Sequence, residues 1–293
     1  MAEFILSAFA DEAGTTLKEQ IEALKRNEIE YIEPRNINGK PILTLTDEEL
    51  REVKAELDKN GIKVNSLGSP IGKYPIKQPF DAHLVDFMRA IEVCKILGTD
   101  RMRMFSFFVE QSELAEYRDE VIYRLTEMTR IAKEHGILLC HENESDIYGQ
   151  NPSEMRDIMT SVPDIYGIFD PANYRMNNCD VIEGINATLI NLGYLHIKDA
   201  IYNSQIIVSA GDGEGKIPEI LDIVNEHTDM PVFLTLEPHL FLFDAYKAID
   251  RHELKSKYTF NNNSESFDFA AQALKNLLTE NGYRKDESGV WKK

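Results

Sequence analysis

The strongest constraint on this 293-residue chain is an alternation. Short apolar runs of strand length are followed repeatedly by longer segments whose apolar residues recur every three or four positions. This is the pattern of βαβ units, which pair their strands in parallel and cover the sheet with helices. Eight such pairs can be counted, with strands expected near residues 4–9, 30–35, 62–68, 101–107, 137–142, 165–170, 193–198 and 232–237. A chain of this length has room to close eight units into one parallel barrel. The expected fold is α/β, a (β/α)8 TIM barrel.

Three helices carry the period clearly. Leu114, Tyr117, Val121, Leu125, Met128 and Ala132 line one face and leave Glu116, Asp119, Glu120 and Glu127 to water, with Gly136 as the stop. Thr46 and Glu49 have the spacing of a capping box at the start of the second helix. Phe267, Ala270, Ala271, Leu274, Leu277 and Leu278 form the apolar face of a last helix that closes the ring.

Charge narrows the partners. Asp and Glu outnumber Lys and Arg by 50 to 32, for a net −18, which repels phosphate backbones and anionic lipid. The basic residues between Lys54 and Lys63 are interleaved with Glu56 and Asp58 and read as a solvated helix face. Nucleic acid and membrane partners are not expected. Cys94, Cys140 and Cys179 show no repeated short spacing, so reduced thiols are expected rather than a disulfide framework or a zinc knuckle. The apolar start at Phe4 to Ala10 lacks a basic leader and runs into Asp11 and Glu12, so it reads as a strand. No apolar stretch approaches the roughly 20 residues that span a bilayer. The cytoplasm is the expected compartment.

Two connections break the rhythm, residues 199–216 and 238–263, both on the carboxyl face where barrels build their sites. The first contains Gly211-Asp212-Gly213-Glu214-Gly215, whose backbone N–H groups would suit an anion but whose acids oppose one; a flexible rim loop is the plainer expectation. The tail after Gly282 is polar and expected to be loose.

Four strand ends carry groups that an apolar strand cannot solvate: Glu142, Asp170, His196 and Glu237. Intervals of 28, 26 and 41 residues separate them, close to one βα unit each with the last lengthened by an insertion, so neighbouring units bring them side by side. Any one alone could be an acid capping the next helix. Together, the three carboxylates would repel one another without a cation, and a set of mainly hard oxygen donors with one nitrogen suits Mn2+ or Mg2+, with Co2+ and Zn2+ as alternatives. His141 and Glu144 fall beside these positions and are expected to support them or face the surface. Lys198, two residues beyond His196, shares its face and is expected either to donate to a substrate oxygen or to pair with an acid. His239, two beyond Glu237, is a similar substrate-binding candidate. Arg103 and Glu33 are expected at the barrel mouth or interior, Arg103 as a substrate contact.

In order along the chain, Phe9-Ala10-Asp11-Glu12, Arg103-Met104-Phe105-Ser106-Phe107, His141-Glu142-Asn143-Glu144, Phe169-Asp170-Pro171-Ala172-Asn173, His196-Ile197-Lys198-Asp199 and Leu236-Glu237-Pro238-His239 resemble the sugar phosphate isomerase/epimerase group of the xylose isomerase-like barrels. The resemblance covers nearly the whole chain and implies one barrel domain over residues 1–293. It implies that Glu142, Asp170, His196 and Glu237 bind one divalent metal and that Glu142 and Glu237 act as the catalytic acid/base pair. The implied reaction is sugar isomerisation or epimerisation by proton transfer next to a ketose-type carbonyl, through an enediolate. A small sugar or polyol is the implied partner, and a homo-oligomer is left open.

The chain departs from the tagatose and psicose epimerases of that group. They carry a substrate-binding His three residues after the metal Asp and an Arg six after the metal His, where this chain has Asn173 and Tyr202. Asn173 is thus a substrate-binding position with altered chemistry. A dehydratase of the inosose or dehydroshikimate type would use the same metal and base. An apurinic-site endonuclease would need further histidines at the mouth, whereas His83, His135, His227 and His252 fall on helices or a distal loop. A non-catalytic sugar-binding barrel is the remaining alternative.

Overall fold

Strand β1 (Glu3–Ala8) lies at the centre of the sheet, flanked on one side by β2 (Tyr31–Ile32) and on the other by β8 (Pro231–Leu236). A computed structural model describes residues 1–202, 204–241 and 255–293. From β2 the sheet continues to β3 (Lys63–Val64), and from β8 through β7 (Leu192–Ile197), β6 (Tyr166–Phe169) and β5 (Leu138–Glu142) to β4 (Arg101–Met104), every pair parallel. Closure comes from Leu67, three residues beyond β3. Leu67 N donates to Arg101 O at 2.9 Å and Arg103 N to Leu67 O at 3.0 Å, so β3 and β4 meet.

Strands β2 and β3 are shorter than the sequence period predicts. Glu33 N still bonds Ala8 O and Asn65 N bonds Ile32 O, but Pro34 has no N–H to continue the ladder.

The helices follow the apolar stripes: α1 (Leu17–Arg26), α2 (Asp47–Lys59), α3 (Phe80–Leu97), α4 (Leu114–Glu134), α5 (Pro152–Ser161), α6 (Pro171–Met176), α7 (Val181–Thr188), α8 (Ile217–His227) and α9 (Asn263–Glu280). The expected capping box at Thr46 and Glu49 is present, and a second one starts α1 at Thr16 and Glu19. Each satisfies N–H groups that the first helical turn leaves free. Lys54 and Lys59 pair with Asp58 and Glu56 on the exposed face of α2.

Side-chain alternation along the strands divides the core in two. Leu6, Ala8, Met102, Met104, Leu139, Leu195, Ile197, Leu234 and Leu236 point outward under the helices, whereas Cys140, Ile168, Tyr194 and Phe233 fill the barrel with Ile5, Tyr31 and Tyr166. The three cysteines are free.

The tail after Gly282 is not loose. Residues Arg284–Lys285 and Trp291–Lys292 form an antiparallel pair, and Trp291 pairs with Phe4 of β1. The chain's one tryptophan and Tyr283 are buried beside the start of β1, with the Tyr283 ring 5.1 Å from that of Phe4. These two aromatics give an otherwise polar tail enough apolar area to dock.

At the carboxyl face, the connections after β7 and β8 pair with each other. Asp199–Ala200, Ile206–Val208 and Lys255–Ser256 form a small three-stranded sheet. Part of the expected 238–263 connection, residues 242–254, lies outside the described residues, and so does His252. Among the described residues no helix is long and apolar enough to cross a membrane.

Candidate metal centre

The site is built by the same alternation that fills the barrel. Glu142 stands two residues above Cys140, Asp170 two above Ile168, His196 two above Tyr194 and Glu237 four above Phe233. Each therefore points into the mouth, one layer above the apolar plug. One ligand atom from each of these four residues lies within 4.8 Å of the others, and all four residues are buried. His196 Nδ1 is 2.9 Å from Glu142 Oε1 and 3.5 Å from Glu237 Oε2; Lys198 Nζ is 2.9 Å from Asp170 Oδ2 and 3.6 Å from Glu237 Oε2. The other glutamate oxygens face arginines. Arg103 Nη1 is 3.2 Å from Glu142 Oε2, and Arg35 Nη1 is 2.9 Å from Glu237 Oε1.

Asp170 serves two purposes at once. Its Oδ1 caps α6 by accepting from Asn173 N at 3.0 Å, while Oδ2 faces the centre and accepts no well-directed hydrogen bond. Glu237 Oε2 is likewise without one. Both oxygens lie near the Lys198 ammonium, at 2.9 and 3.6 Å, and both are placed to meet a cation at the centre.

Charge makes the same point. The mouth buries six carboxyl groups, Asp11, Glu12, Glu33, Glu142, Asp170 and Glu237, against three permanent cations, Arg35, Arg103 and Lys198. None of the nine is more than 7% exposed. Burial pushes Glu12 up to about 8 even though Arg35 opposes it, so it holds a proton at neutral pH. The buried acids still outnumber the permanent cations, an excess that a divalent ion would offset. Without a metal, a proton takes part of that role. Burial would lower His196, but Glu142 and Glu33 outweigh it and raise the imidazole to about 10. Burial raises Asp170 to about 7 against the pull of Lys198. Burial also works against ionised Glu142 and Glu237, yet His196 and Arg103 for the first, and Lys198 and His239 for the second, keep both below the usual carboxylate range.

The donor set fits a metal. Glu142, Asp170 and Glu237 offer oxygens and His196 offers Nδ1, while its Nε2 lies 3.4 Å from Glu33 Oε2, which can fix the ring and its tautomer. Glu33 is held in turn by Tyr194 OH at 2.8 Å.

The family model for the xylose isomerase-like TIM barrel matches residues 21–251. This chain belongs to that family. No curated protein matches it in sequence. Among solved structures, this xylose isomerase-like barrel is similar to the IolI protein with a bound zinc atom, at 16% identity and TM-score 0.74, covering 94% of this chain and 98% of that one. It is also similar to the probable 3-DHS dehydratase AsbF of Bacillus anthracis, at 12% identity and TM-score 0.70, covering 94% and 99%. D-psicose 3-epimerase of Clostridium cellulolyticum H10, with D-tagatose, gives 14% identity and TM-score 0.69, covering 93% and 98%. At these identities the likeness is one of fold.

The remaining expected residues of this xylose isomerase-like barrel fall as follows. Lys198 pairs with Asp170, the second of its two expected roles. Arg103 lies between the rings of Phe9 and Phe105 and joins Glu142. Asn173 Nδ2 donates to Asn143 O at 2.8 Å and comes within 3.5 Å of Glu142 Oε1. His239 adopts a left-handed backbone, φ 47°, which turns its ring back over the mouth, with Nε2 3.2 Å from Glu12 Oε1 and 3.6 Å from Glu237 Oε1. Glu144 pairs with Lys73 at 3.1 Å on the rim, and His141, on the outer face of β5, meets Ser106 Oγ at 2.8 Å. His83 accepts from Gly72 N, away from the centre.

The glycine loop is already filled. The Asp199 carboxylate accepts from the backbone N–H groups of Ala200, Gly211, Gly213 and Gly215 at 2.8–3.1 Å. A Cβ at Gly213 or Gly215 would run into that carboxylate.

Sequence reasoning missed the role of Arg35, and it noted Asp11 and Glu12 only as part of a motif. A usable signal existed: Arg35 lies two residues beyond Glu33 and so shares its inward face, as Lys198 shares that of His196.

Proposed function

We propose that this chain is a metal-dependent sugar isomerase or epimerase that transfers a proton next to a ketose-type carbonyl through an enediolate. The observation that carries the reading is the convergence of Glu142, Asp170, His196 and Glu237, with Glu142 and Glu237 both held ionised. A divalent ion held by these four residues, Mn2+ or Mg2+ by the hardness of the donors, would supply Lewis-acid polarisation of the substrate carbonyl. Glu142 and Glu237 are the proton-transferring pair: one, ionised, takes the proton beside the carbonyl, and the other first takes up a proton, from solvent or from the substrate hydroxyl, and then delivers it to the carbon. His196 with Arg103 favours ionised Glu142 and Lys198 favours ionised Glu237, so either can be the one that begins as the base. Lys198 and His239 flank Glu237 and Asp170, where they can donate to substrate oxygens. Asn173 and Arg103 complete the binding positions. The preferred substrate is a neutral keto sugar, an inositol derivative or a small hydroxy-keto acid, because Asp199 fills the one glycine-rich cradle that would suit a phosphate.

A second reading, dehydration of an inosose or dehydroshikimate type of substrate, is favoured by Lys198. Burial would lower this ammonium, but Asp170 and Glu237 raise it well above the ordinary lysine range, so it stays charged where it could stabilise a departing hydroxyl by hydrogen bonding.

Metal-loaded protein incubated in D2O with keto sugars, inososes and 3-dehydroshikimate tests both readings. Deuterium beside the carbonyl with retained hydroxyls supports the isomerase reading, and loss of water supports the dehydratase. A protein with a full complement of metal that exchanges no carbonyl-adjacent proton in any of them contradicts both.

A further inference from the structure

Beside the metal centre lies a second group with the makings of a cation site. One ligand atom from each of Glu12, Glu237 and His239 lies within 4.8 Å of the others, and all three residues are buried. The two groups share Glu237, so ions in both would make a bridged pair. A guanidinium already stands in the second. Arg35 Nη1 is 2.9 Å from Glu237 Oε1 and Nη2 is 3.5 Å from Glu12 Oε1, the same two oxygens that His239 Nε2 faces at 3.6 and 3.2 Å.

Arg35 is fixed from behind. Its Nε and Nη2 donate to the two oxygens of Asp11 at 3.0 and 3.1 Å, and Asn36 Nδ2 holds Asp11 Oδ2 at 2.7 Å. The guanidinium carbon lies 4.6 Å from the centre of the Phe9 ring. An arginine keeps its charge and does not make way for a metal. A divalent ion on the same oxygens would meet a like charge at short range in a buried site that screens it poorly.

We propose that Arg35 is the resident cation of the Glu12–Glu237–His239 pocket and keeps the centre mononuclear. It is a positioning residue: it draws Glu237 Oε1 to itself and leaves Oε2 for the ion held with Glu142, Asp170 and His196. The inference rests on the reading of those four residues as a metal site. Charge rather than shape is the operative property, so Arg35→Lys preserves the effect and Arg35→Met, close in length but neutral, removes it.

The test is metal content after equilibration with Mn2+ and removal of free ion, together with the electron paramagnetic resonance spectrum, which reports exchange coupling between paired ions. One uncoupled ion per chain is expected in the wild type, in Arg35→Lys and in His239→Ala. Two coupled ions are expected in Arg35→Met, falling back to one in Arg35→Met/His239→Ala. One ion in a folded Arg35→Met, with the wild type also holding one, overturns the role of Arg35 and leaves the metal centre standing. A wild type that binds no ion overturns the metal centre itself, and the role of Arg35 with it. If Arg35→Met does not fold, the other variants still decide: two ions in the wild type or in Arg35→Lys, or a loss of stoichiometry in His239→Ala, overturns the proposal, and a single ion in all three supports it.

Discussion

Glu142 is gripped from both sides: Oε2 lies 3.2 Å from Arg103 Nη1 and Oε1 lies 2.9 Å from His196 Nδ1. Glu237 repeats the arrangement with Arg35 on one oxygen and His196 and Lys198 near the other. Each glutamate thus turns one oxygen toward the shared centre and one toward an arginine. The centre keeps its shape by ion pairing, and a bound metal would replace a proton rather than build the site.

That division separates two variants. In Glu237→Gln the amide oxygen can still coordinate but cannot take up a proton, so metal should be retained while turnover falls by about 10²–10⁴-fold, the usual range for lost general acid/base catalysis. In His196→Ala the metal itself should be lost, and with it the rise in melting temperature expected from Mn2+ in the wild type. Metal analysis, melting curves and carbonyl-proton exchange measured on both proteins check this. Full turnover in metal-replete Glu237→Gln would remove Glu237 from the proton-transfer pair.

Glu12 predicts a pH dependence of stability in metal-free protein. Its folded-state value, about 8, lies above the ordinary carboxylate value of 4.5, with burial as the main cause. Between those values the folded chain holds a proton that the unfolded chain has released. The stabilising contribution is complete below the lower value and is lost as pH rises through the upper one. Glu12→Gln, which mimics the protonated acid and does not titrate, should therefore lose less stability than the wild type between pH 5 and pH 8. Urea unfolding in chelator at several pH values measures the difference, and parallel curves would show that Glu12 does not titrate in this window.

The filled glycine cradle predicts a strict size limit. In Gly213→Ala the added methyl meets the Asp199 carboxylate, so the small sheet above β7 should loosen at a cost of about 1–3 kcal/mol, the usual range for overpacking. Hydrogen exchange at Ala200 and Gly215 should rise along with it. Unchanged exchange at those amides would mean that the loop adjusts without yielding Asp199.

The acidic composition predicts the outcome with nucleic acid. With 50 acids against 32 Lys plus Arg, and with Arg35, Arg103 and Lys198 buried in ion pairs, duplex DNA containing an abasic site should show no salt-dependent binding. Any residual binding should disappear with the metal. A metal-independent complex at low ionic strength that weakens steeply as salt rises would reveal a basic groove and favour the endonuclease class.

What the sequence determined by itself was periodic. Alternation fixes which residues of a strand face inward, so Glu142, Asp170, His196 and Glu237 could be placed on one face of four neighbouring units before any contact was known. Capping chemistry is equally local, which is why Thr46 with Glu49 could be read directly. Only the tertiary structure decided who pairs with whom. Arg35 reaches Glu237 across 202 residues and Asp199 takes the N–H groups of a loop up to 16 residues on, contacts set by how the barrel closes and how its loops fold back. The tail was misread for the same reason: Trp291 pairs with Phe4, whose ring meets Tyr283, and a polar stretch shows no period from which that docking could be inferred. The balance of charge in the mouth is likewise a sum over the strand ends of β1, β2 and β4 to β8, because burial and mutual distance, absent from the linear chain, decide which acids keep their protons and which lose them.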